Sequence, residues 1–289
     1  TVTIDGNIAT INNASAPSYT ATYTMQAADT EGLLAFTIDF TSLGGLAGTQ
    51  VVATTDASSV TFDETLPTSS PVTIYSDNAN TALAKVGDDI TLSFTVDEPL
   101  VSNPSVSIDG NSATIGGAYP SYTASYTMQA GDTEAVLTYA IDFTDAVGNV
   151  GAQVTAVTDG TSVTFDETLP TAPGVTIFSN NADTTLAKTG DIVTLSFTVD
   201  EPLLGSPTVT IDGNATTLGG VHPSYTATYI MQVLDTEGVL TFTLDFTDAA
   251  GNGGDRNLFV GAVEWQGTVL PGSLGVQSPG CQNDNGGRT

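Results

Sequence analysis

Apolar and polar residues alternate along much of the chain, and this pattern predicts β-strands. In residues 90–96 every second side chain is apolar, and the ones between them are Thr or Ser. The same alternation occurs in residues 122–128 and 137–143. A period of two gives each strand one buried and one wet face, and Thr suits an extended backbone. No stretch shows sustained helical spacing, so the sequence predicts an all-β protein.

Short turn-forming segments divide the middle of the chain into seven predicted strands. Gly, Asp and Pro cluster between the alternating runs, as in Gly87-Asp88-Asp89, and such clusters favour turns. Seven short strands in about 100 residues, with no helix, are typical of an immunoglobulin-like Greek-key β-sandwich. The predicted strands lie at residues 72–75, 90–96, 105–108, 113–115, 122–128, 136–143 and 153–165.

The chain repeats itself with a shift of 103 residues. Residues 60–68 return unchanged as residues 163–171, and residues 95–99 return as 198–202. Near-identity over such a span indicates tandem duplication. A period of roughly 100 residues is too long for a solenoid unit and matches one small sandwich domain. The sequence therefore predicts tandem immunoglobulin-like sandwiches of about seven strands each.

The repeat also predicts where these domains begin and end. The start is interpreted as an arbitrary boundary, because the first domain lacks its first two strands; the alternative is a subunit whose open groove accepts a strand from a neighbouring chain. In the third domain, residues 258–263 are the candidate for a substitute last strand. The predicted parts are a partial repeat at 1–66, a complete repeat at 67–169, a third repeat with an altered last strand at 170–272, and a disordered Gly/Asn-rich tail at 273–289.

The charge of the chain excludes several classes of protein. Among its 289 residues are 32 acidic and only four basic side chains, which gives a net charge of −28. Four cations cannot form the basic face that nucleic acid requires, and an anionic membrane surface repels such a protein. No run of about 18 apolar residues predicts a membrane span, and no leader precedes the first strand-like stretch. The single Cys281 excludes an internal disulfide.

Several motifs resemble those of a known group. These are the repeated Asp-Glu-Thr-Leu-Pro-Thr joint, the Gly-Asp before the second strand, the Asp-Glu-Pro after it, and the Phe-Thr-Asp-Ala-Val-Gly-Asn at residues 143–149. Together they resemble bacterial Ig-like repeats of large extracellular proteins and adhesins, over roughly residues 1 to 252. The resemblance implies display at the cell surface, tandem stacking and often calcium.

Acidic residues that are distant in sequence converge at each predicted joint between domains. In a sandwich of this kind the linker, the loop after the second strand and the loop before the last strand meet at one end. Calcium takes about six to eight oxygen ligands from carboxylates, amides and carbonyls, so we expect Ca²⁺ there; the alternative is that these residues are ordinary turn formers. The candidate ligands are Asp63, Glu64, Asp97, Glu98, Asp145 and Asn149 at one joint, and Asp166, Glu167, Asp200, Glu201, Asp248 and Asn252 at the next.

The remaining polar features indicate no second site. The first repeat lacks part of this set of candidate ligands, because it has Ser42 and Leu46 in place of Asp145 and Asn149. At the opposite end of the middle repeat, Asp88 and Asp132 could coordinate an ion, but turn formation is favoured. The single His222 stands in a loop where the middle repeat has Tyr119, so no Ser-His-Asp arrangement is indicated.

No enzyme is expected, and three functions stay open. The first is a structural stalk or spacer of an extracellular bacterial surface or adhesion protein, stiffened by calcium at its joints. The second is a filament subunit that assembles by strand complementation. The third is a carbohydrate-binding accessory module, which would need the strand tyrosines, such as Tyr122, to face solvent; core packing is favoured. Expected partners are neighbouring Ig-like domains or subunits, and a surface glycan or protein through other domains.

Overall fold

A computed structural model describes residues 1–15, 17–254 and 258–265. None of these residues lies in a helix, so the all-β prediction is confirmed. Within the described ranges there is accordingly no helix of the length and apolar character needed to cross a membrane. The strands, in chain order, are β1 (Val2–Ile4), β2 (Asn7–Ile8), β3 (Thr10–Ser15), β4 (Ser18–Thr22), β5 (Gly32–Leu33), β6 (Phe36–Ile38), β7 (Thr61–Phe62), β8 (Ser69–Ser76), β9 (Leu83–Ala84), β10 (Asp89–Val96), β11 (Ser105–Ile108), β12 (Asn111–Ser112), β13 (Thr114–Ala118), β14 (Ser121–Thr127), β15 (Tyr139–Asp142), β16 (Thr164–Phe165), β17 (Gly174–Ser179), β18 (Leu186–Ala187), β19 (Ile192–Thr198), β20 (Thr208–Ile211), β21 (Asn214–Ala215), β22 (Thr217–Val221), β23 (Ser224–Ile230), β24 (Gly238–Asp245) and β25 (Leu258–Trp265).

By internal contacts the chain forms two compact units, which are described in turn. Their bounds do not follow the repeats, because short segments of the middle repeat belong to the second unit. The first unit comprises Thr1–Asp77, Asp89–Thr127 and Val136–Val163, and the second comprises Asn78–Asp88, Met128–Ala135 and the chain from Thr164 onward.

The first unit contains the two sheets of an immunoglobulin-like sandwich. One sheet has the antiparallel order β13-β14-β10-β8 and the other the order β12-β11-β15. In the first sheet Phe94 lies opposite Tyr122, and their rings stack with centroids 5.8 Å apart. The apolar positions of the alternating pattern, including Leu92, Ile108 and Ile141, are fully buried. This strand order and buried core identify the fold.

The predicted last strand of the middle repeat is only partly confirmed. Of residues 153–165, Val154 forms an isolated bridge to Ile141, and a regular strand exists only at β16. The left-handed turn at Gly160, with a φ of 75°, interrupts the segment. Instead of a ladder, the Thr158 and Thr161 hydroxyls accept hydrogen bonds from main-chain N–H groups of β8 at 3.0 and 3.1 Å.

The first repeat presents an open cleft within the first unit. Within the described ranges, its hairpin β3–β4 forms a two-stranded sheet without counterparts of β10 and β8. Tyr19 on β4 is consequently 61% exposed, whereas its equivalent Tyr122 is 5% exposed. The cleft has a volume of 1410 Å³, and Ile11, Ala21 and Phe36 are among the residues that line it.

The second unit contains the same sandwich in the third repeat. Its sheets have the orders β17-β19-β23-β22 and β18-β25-β24-β20-β21. Phe197 stacks on Tyr225 with ring centroids 5.5 Å apart, above a core that includes Leu195, Ile211 and Leu240. Residues 258–263, the candidate for a substitute last strand, lie in β25, which pairs antiparallel with β24. The predicted tail at 273–289 lies outside the described residues.

Candidate metal centre

The structure brings together one acid from each of three elements, and it does so twice. In the first acidic cluster, Asp63, Glu98 and Asp145 each place a carboxylate oxygen within 4.8 Å of the others. In the second acidic cluster the corresponding residues are Asp166, Glu201 and Asp248. Within the described residues, these are the only groups of three or more His, Cys, Asp or Glu side chains arranged in this way.

Each cluster forms where strand ends meet the linker. In the first unit Asp63 directly follows β7, Glu98 follows β10 by two residues, and Asp145 stands after β15. In the second unit Asp166 directly follows β16, and Glu201 and Asp248 follow β19 and β24 by three residues each. The duplication thus carries the arrangement from one joint to the next.

Asp145 is held in place by the turn that it opens. We call residues 145–149 and 248–252 the closing turns. The Asp145 Oδ1 atom accepts hydrogen bonds from the main-chain N–H groups of Val147, Gly148 and Asn149 at 2.7 to 2.9 Å. Asp248 Oδ1 accepts equivalent bonds from Gly251 and Asn252. One carboxylate oxygen is therefore used by the turn, and the other faces the cluster.

Several carboxylate oxygens in the clusters are buried and unpaired. Glu98 Oε2, Glu201 Oε2 and Asp248 Oδ2 have no hydrogen-bond partner among the described residues. Asp248 itself is 1% exposed. In the first cluster Asp145 Oδ2 accepts a bond from the Asn149 amide at 2.8 Å. Because an unpaired buried charge is costly, the second cluster has the stronger need for a cation.

Burial and mutual repulsion alter the acidity of the central glutamates. Burial raises the pKa of Glu98, and the nearby charges of Asp63 and Asp97 raise it further. Burial likewise raises the pKa of Glu201, followed by the charges of Asp166 and Asp248. Carboxylates held together without a cation shift in this direction.

The aspartates of the clusters respond differently to burial. Burial raises the pKa of Asp166, and the charge of Asp248 adds to the rise. Burial also tends to raise the pKa of Asp145. The hydrogen bonds from Asn149 and Gly148 outweigh this effect, so the pKa of Asp145 is lowered. Asp145 therefore stays ionised, and its negative charge contributes to the raised pKa of Glu98.

Four of the predicted acidic ligands are not in the clusters. Asp97 caps the linker instead: its carboxylate accepts bonds from the Thr68 N–H and hydroxyl at 2.7 and 2.6 Å. Asp200 does the same for Thr171. The clusters also lack the side chains of Glu64 and Glu167, which alternate with Asp63 and Asp166 along an extended linker and so cannot share their side.

The two predicted asparagines act as hydrogen-bond donors at the joint. Asn149 Nδ2 donates to the main-chain oxygens of Asp63 and Thr65, both at 3.2 Å. Asn252 Nδ2 donates to the Asp166 oxygen at 2.9 Å. Through these bonds the two amide groups hold the linker against the closing turn.

Two glutamates at the joints were not among the predicted ligands. Glu31 accepts bonds from the Glu64 N–H and the Thr65 hydroxyl, both at 2.8 Å. Glu134 does the same for Glu167 and Thr168. The signal was present, because Asp-Thr-Glu recurs at residues 29–31 and 132–134 with the shift of 103.

The clusters fit a hard divalent cation by their donor chemistry. Three carboxylates carry three negative charges, and such oxygen ligands suit calcium. The buried unpaired oxygens of Glu201 and Asp248 would gain a partner. In the first unit the cation would be held by Asp63, Glu98 and Asp145, with water or main-chain oxygens in the remaining positions.

The other residues that the sequence singled out either have structural roles, are exposed, or lie outside the described residues. Tyr122 and Tyr225 are buried, which confirms the interpretation as core. Asp88 accepts bonds from Lys85 and Asn78, as a turn former would. His222 is an exposed loop residue. Cys281 lies outside the described residues.

Comparison with known proteins gives matches of structure only. No protein-family model matches the chain, and no curated protein sequence matches it. An I-band fragment of titin is similar at 11% identity and a TM-score of 0.37, over 67% of this chain and 65% of the fragment. A chimeric titin tandem carrying an exogenous fibronectin peptide is similar at 13% identity and a TM-score of 0.23, over 65% of this chain and 94% of the tandem. A Bacteroides ovatus protein of a mixed-linkage glucan utilisation locus, in complex with a mixed-linkage heptasaccharide, is similar at 16% identity and a TM-score of 0.20, over 92% of this chain and 61% of that one.

Proposed function

We propose that this chain is a structural spacer of an extracellular bacterial surface protein, built of tandem Ig-like domains whose joints bind calcium. The observation that carries the proposal is the second acidic cluster, in which Glu201 Oε2 and Asp248 Oδ2 are buried and have no hydrogen-bond partner among the described residues. A repeated site of this kind favours a repeated structural duty over a single active site. Its partners are the neighbouring Ig-like domains.

Calcium would stiffen the joint by removing repulsion between the linker and the domain that follows it. Asp166 belongs to the linker, whereas Glu201 and Asp248 belong to the third repeat. A cation shared by these three carboxylates ties the linker to that repeat. Outside cells, where calcium is abundant at levels that weak extracellular sites can use, the spacer would be rigid. Chelation would loosen it.

Thermal unfolding of the full chain with and without calcium tests the proposal. We expect millimolar calcium to raise the unfolding midpoint relative to a chelator, because ligands that bind only the folded state stabilise it. Magnesium is the matched control, since it demands a tighter octahedral site and dehydrates reluctantly. An unchanged midpoint, or an equal rise with both ions, would contradict a calcium joint.

A second candidate function is assembly by strand complementation, which the cleft of the first repeat favours. In the complete repeats, β10 covers the residues equivalent to Tyr19 and Ala21 with Phe94 and Leu92. A strand of the same alternation would pair with the free edge of β4. A labelled peptide with the sequence of residues 89–96 should bind the chain, and a peptide with Leu92 and Phe94 replaced by Ser should not. Equal binding of both peptides would exclude this function.

A carbohydrate-binding module receives less support. The tyrosines that would form its platform include Tyr122 and Tyr225, which are 5% and 8% exposed. Tyr229, which is half-buried, donates its hydroxyl to the Asp235 carboxylate. Buried or engaged rings cannot stack on a sugar.

A further inference from the structure

Both lysines of the chain stand at equivalent positions of the repeat. Lys85 and Lys188 are separated by the shift of 103, and the only other basic side chains are two arginines. Each lysine Nζ lies 2.8 Å from an aspartate three residues on, Asp88 or Asp191. In a chain with a net charge of −28, each complete repeat thus carries one lysine at the same position, paired with an aspartate.

In the middle repeat this group of residues seats the closing turn of the third repeat. We call Asn78, Lys85 and Asp88 the first lysine corner; they belong to the second compact unit. Asn78 Nδ2 donates one hydrogen bond to Asp88 Oδ2, at 2.7 Å, and a second to the main-chain oxygen of Ala250, at 2.8 Å. A Cβ atom placed on Gly251 would lie 3.4 Å from Lys85 Cε, so the lysine stem packs on this glycine. Ala250 is 1% exposed as a result.

The third repeat carries the same corner, and no turn from the described part of the chain is seated on it. The second lysine corner is Asn181, Lys188 and Asp191, and Asn181 Nδ2 again donates to Asp191 Oδ2, at 2.8 Å. The Lys188 side chain is 66% exposed, against 35% for Lys85. For the second proton of the Asn181 amide, no acceptor is found in the described ranges. The corner is thus formed by its own bonds before any partner arrives.

The closing turn of the middle repeat, at residues 145–149, is equivalent to the turn that the first lysine corner binds, but it is exposed. Its main chain is organised by Asp145 as the other closing turn is organised by Asp248. Val147, the equivalent of the buried Ala250, is 59% exposed. A Cβ atom on Gly148 would meet open space. One chain therefore presents both an unseated turn and an unfilled corner.

We propose that the second lysine corner binds the closing turn at residues 145–149 of a second copy of this chain. Asn181 Nδ2 donates to the Val147 main-chain oxygen, and the Lys188 stem packs on Gly148. Corner and turn are different surfaces, so the contact is head-to-tail. The contact involves no carboxylate of the acidic clusters as a donor or acceptor, and it does not depend on calcium. The proposal concerns association between chains, whatever the outcome for the calcium joint.

Sedimentation velocity of the full chain over a wide concentration series tests this proposal. The buffer contains a chelator and about 1 M sodium chloride, where the Debye length of about 3 Å screens repulsion between two acidic copies. We expect the weight-average sedimentation coefficient to rise with concentration as copies associate. A monomer at every concentration would overturn the proposal.

Two substitutions separate this contact from any other route of association. Val147→Ala makes the turn identical in sequence to the one already seated, so it should shift association to lower concentration. Lys188→Ala should shift it about fivefold higher, the effect of roughly 1 kcal/mol. Lys85→Ala is the matched control, because it removes the same local ion pair from the corner that is already filled, and Val136→Ala is the control for the exposed valine. If Val147→Ala and Lys188→Ala both leave the association unchanged, the contact is excluded. This is also the result expected if the copies associate through strand complementation in the cleft of the first repeat.

Discussion

The side-chain amide of Asn252 donates a hydrogen bond to the main-chain oxygen of Asp166 at 2.9 Å. The two residues are 86 positions apart and belong to the closing turn and the linker. Asn149 and Asp63 repeat the relationship in the first unit at 3.2 Å. This bond brings carboxylates from separate elements together although they repel each other, and it makes the asparagine a positioning residue for each acidic cluster.

Replacing Asn252 should therefore weaken both the fold and the joint. Asn252→Ala removes a hydrogen bond that links distant segments, and we expect a loss of about 1 kcal/mol in unfolding free energy. Calcium should then raise the unfolding midpoint less than in the parent chain, because Asp166 is no longer held. Asn214→Ala is the matched control, since its amide bonds only to the nearby Asp212 oxygen. Equal calcium responses in the two variants would contradict this role.

Neutralising one central glutamate should remove one calcium site. Glu201→Gln keeps the shape of the side chain but withdraws a charge from the second acidic cluster, and calorimetry should then count one calcium ion fewer per chain. Glu167→Gln is the control, because Glu167 lies outside the cluster. Since Asp145 Oδ2 already has an amide partner and Asp248 Oδ2 has none, Glu201→Gln should remove the tighter site and Glu98→Gln the weaker one. The reverse order would contradict the argument from unpaired oxygens.

Without calcium, the stability of the protein should rise as the pH falls toward 4.5. The pKa values of Glu98 and Glu201 are raised above the ordinary 4.5 by burial and by their acidic neighbours. Between 4.5 and the raised values the folded state holds more protons than the unfolded state, so acid stabilises it. At lower pH the lowered pKa values of Asp97 and Asp200 act in the opposite sense.

Thermal midpoints from neutral pH to 4.5, with and without calcium, check this dependence. Saturating calcium should remove the rise, because acid then competes with the cation. A Glu98→Gln, Glu201→Gln double variant should show a smaller rise in calcium-free buffer. A rise of equal size in the parent and the double variant would assign the effect to net charge alone.

The core of the third repeat should tolerate truncation poorly. Leu195 is fully buried on β19, and Leu→Ala at such a site costs about 2–5 kcal/mol through lost transfer energy and the cavity left behind. Ile192→Ala on the same strand is the control, because Ile192 is 38% exposed. Denaturant unfolding of both variants measures the difference, and a loss below 1 kcal/mol for Leu195→Ala would contradict the packing.

The two glycines of the closing turns should both resist replacement by alanine. Both have a positive φ, 94° for Gly251 and 113° for Gly148, so alanine strains either turn by about 1–2 kcal/mol. At Gly251 the new methyl group would lie 3.4 Å from Lys85 Cε, an ordinary van der Waals contact, so the strain of the backbone dominates at both positions. Thermal unfolding should show a similar loss of stability for Gly251→Ala and Gly148→Ala, and an unchanged midpoint for either variant would contradict the left-handed conformation of its turn.

The sequence was most informative where a period of two coincides with burial. Strands such as β10 and β14 lie where the alternation predicts them. When only one face of a sheet packs on the core, a single pairing register buries the apolar side chains. Convergence of Asp63, Glu98 and Asp145 was also predictable, since the fold places those loops at one end. Which acid turns inward was not: Asp97 and Glu98 are adjacent, and only the bond from Thr68 to Asp97 decides between them.

Interactions between successive repeats were the least predictable feature. Asn78 and Lys85 read as ordinary turn residues, because their role depends on Ala250 and Gly251, far along the chain. The duplicated sequence also concealed a difference in environment, since identical corners differ in exposure. The altered last strand was detectable by its loss of the repeat, yet its pairing with β24 follows from hydrogen-bonding demand at that edge.

The short strand β16 runs parallel to β9, with Thr164 beside Leu83 and Phe165 beside Ala84. A pull on the chain beyond residue 165 would load this pair along its length, because parallel neighbours slide past each other instead of peeling apart. The Thr164 and Asp166 N–H groups, which donate to Ala82 and Ala84, would have to break together. Tension on the chain would thus be resisted by this parallel strand pair at the exit of the middle repeat.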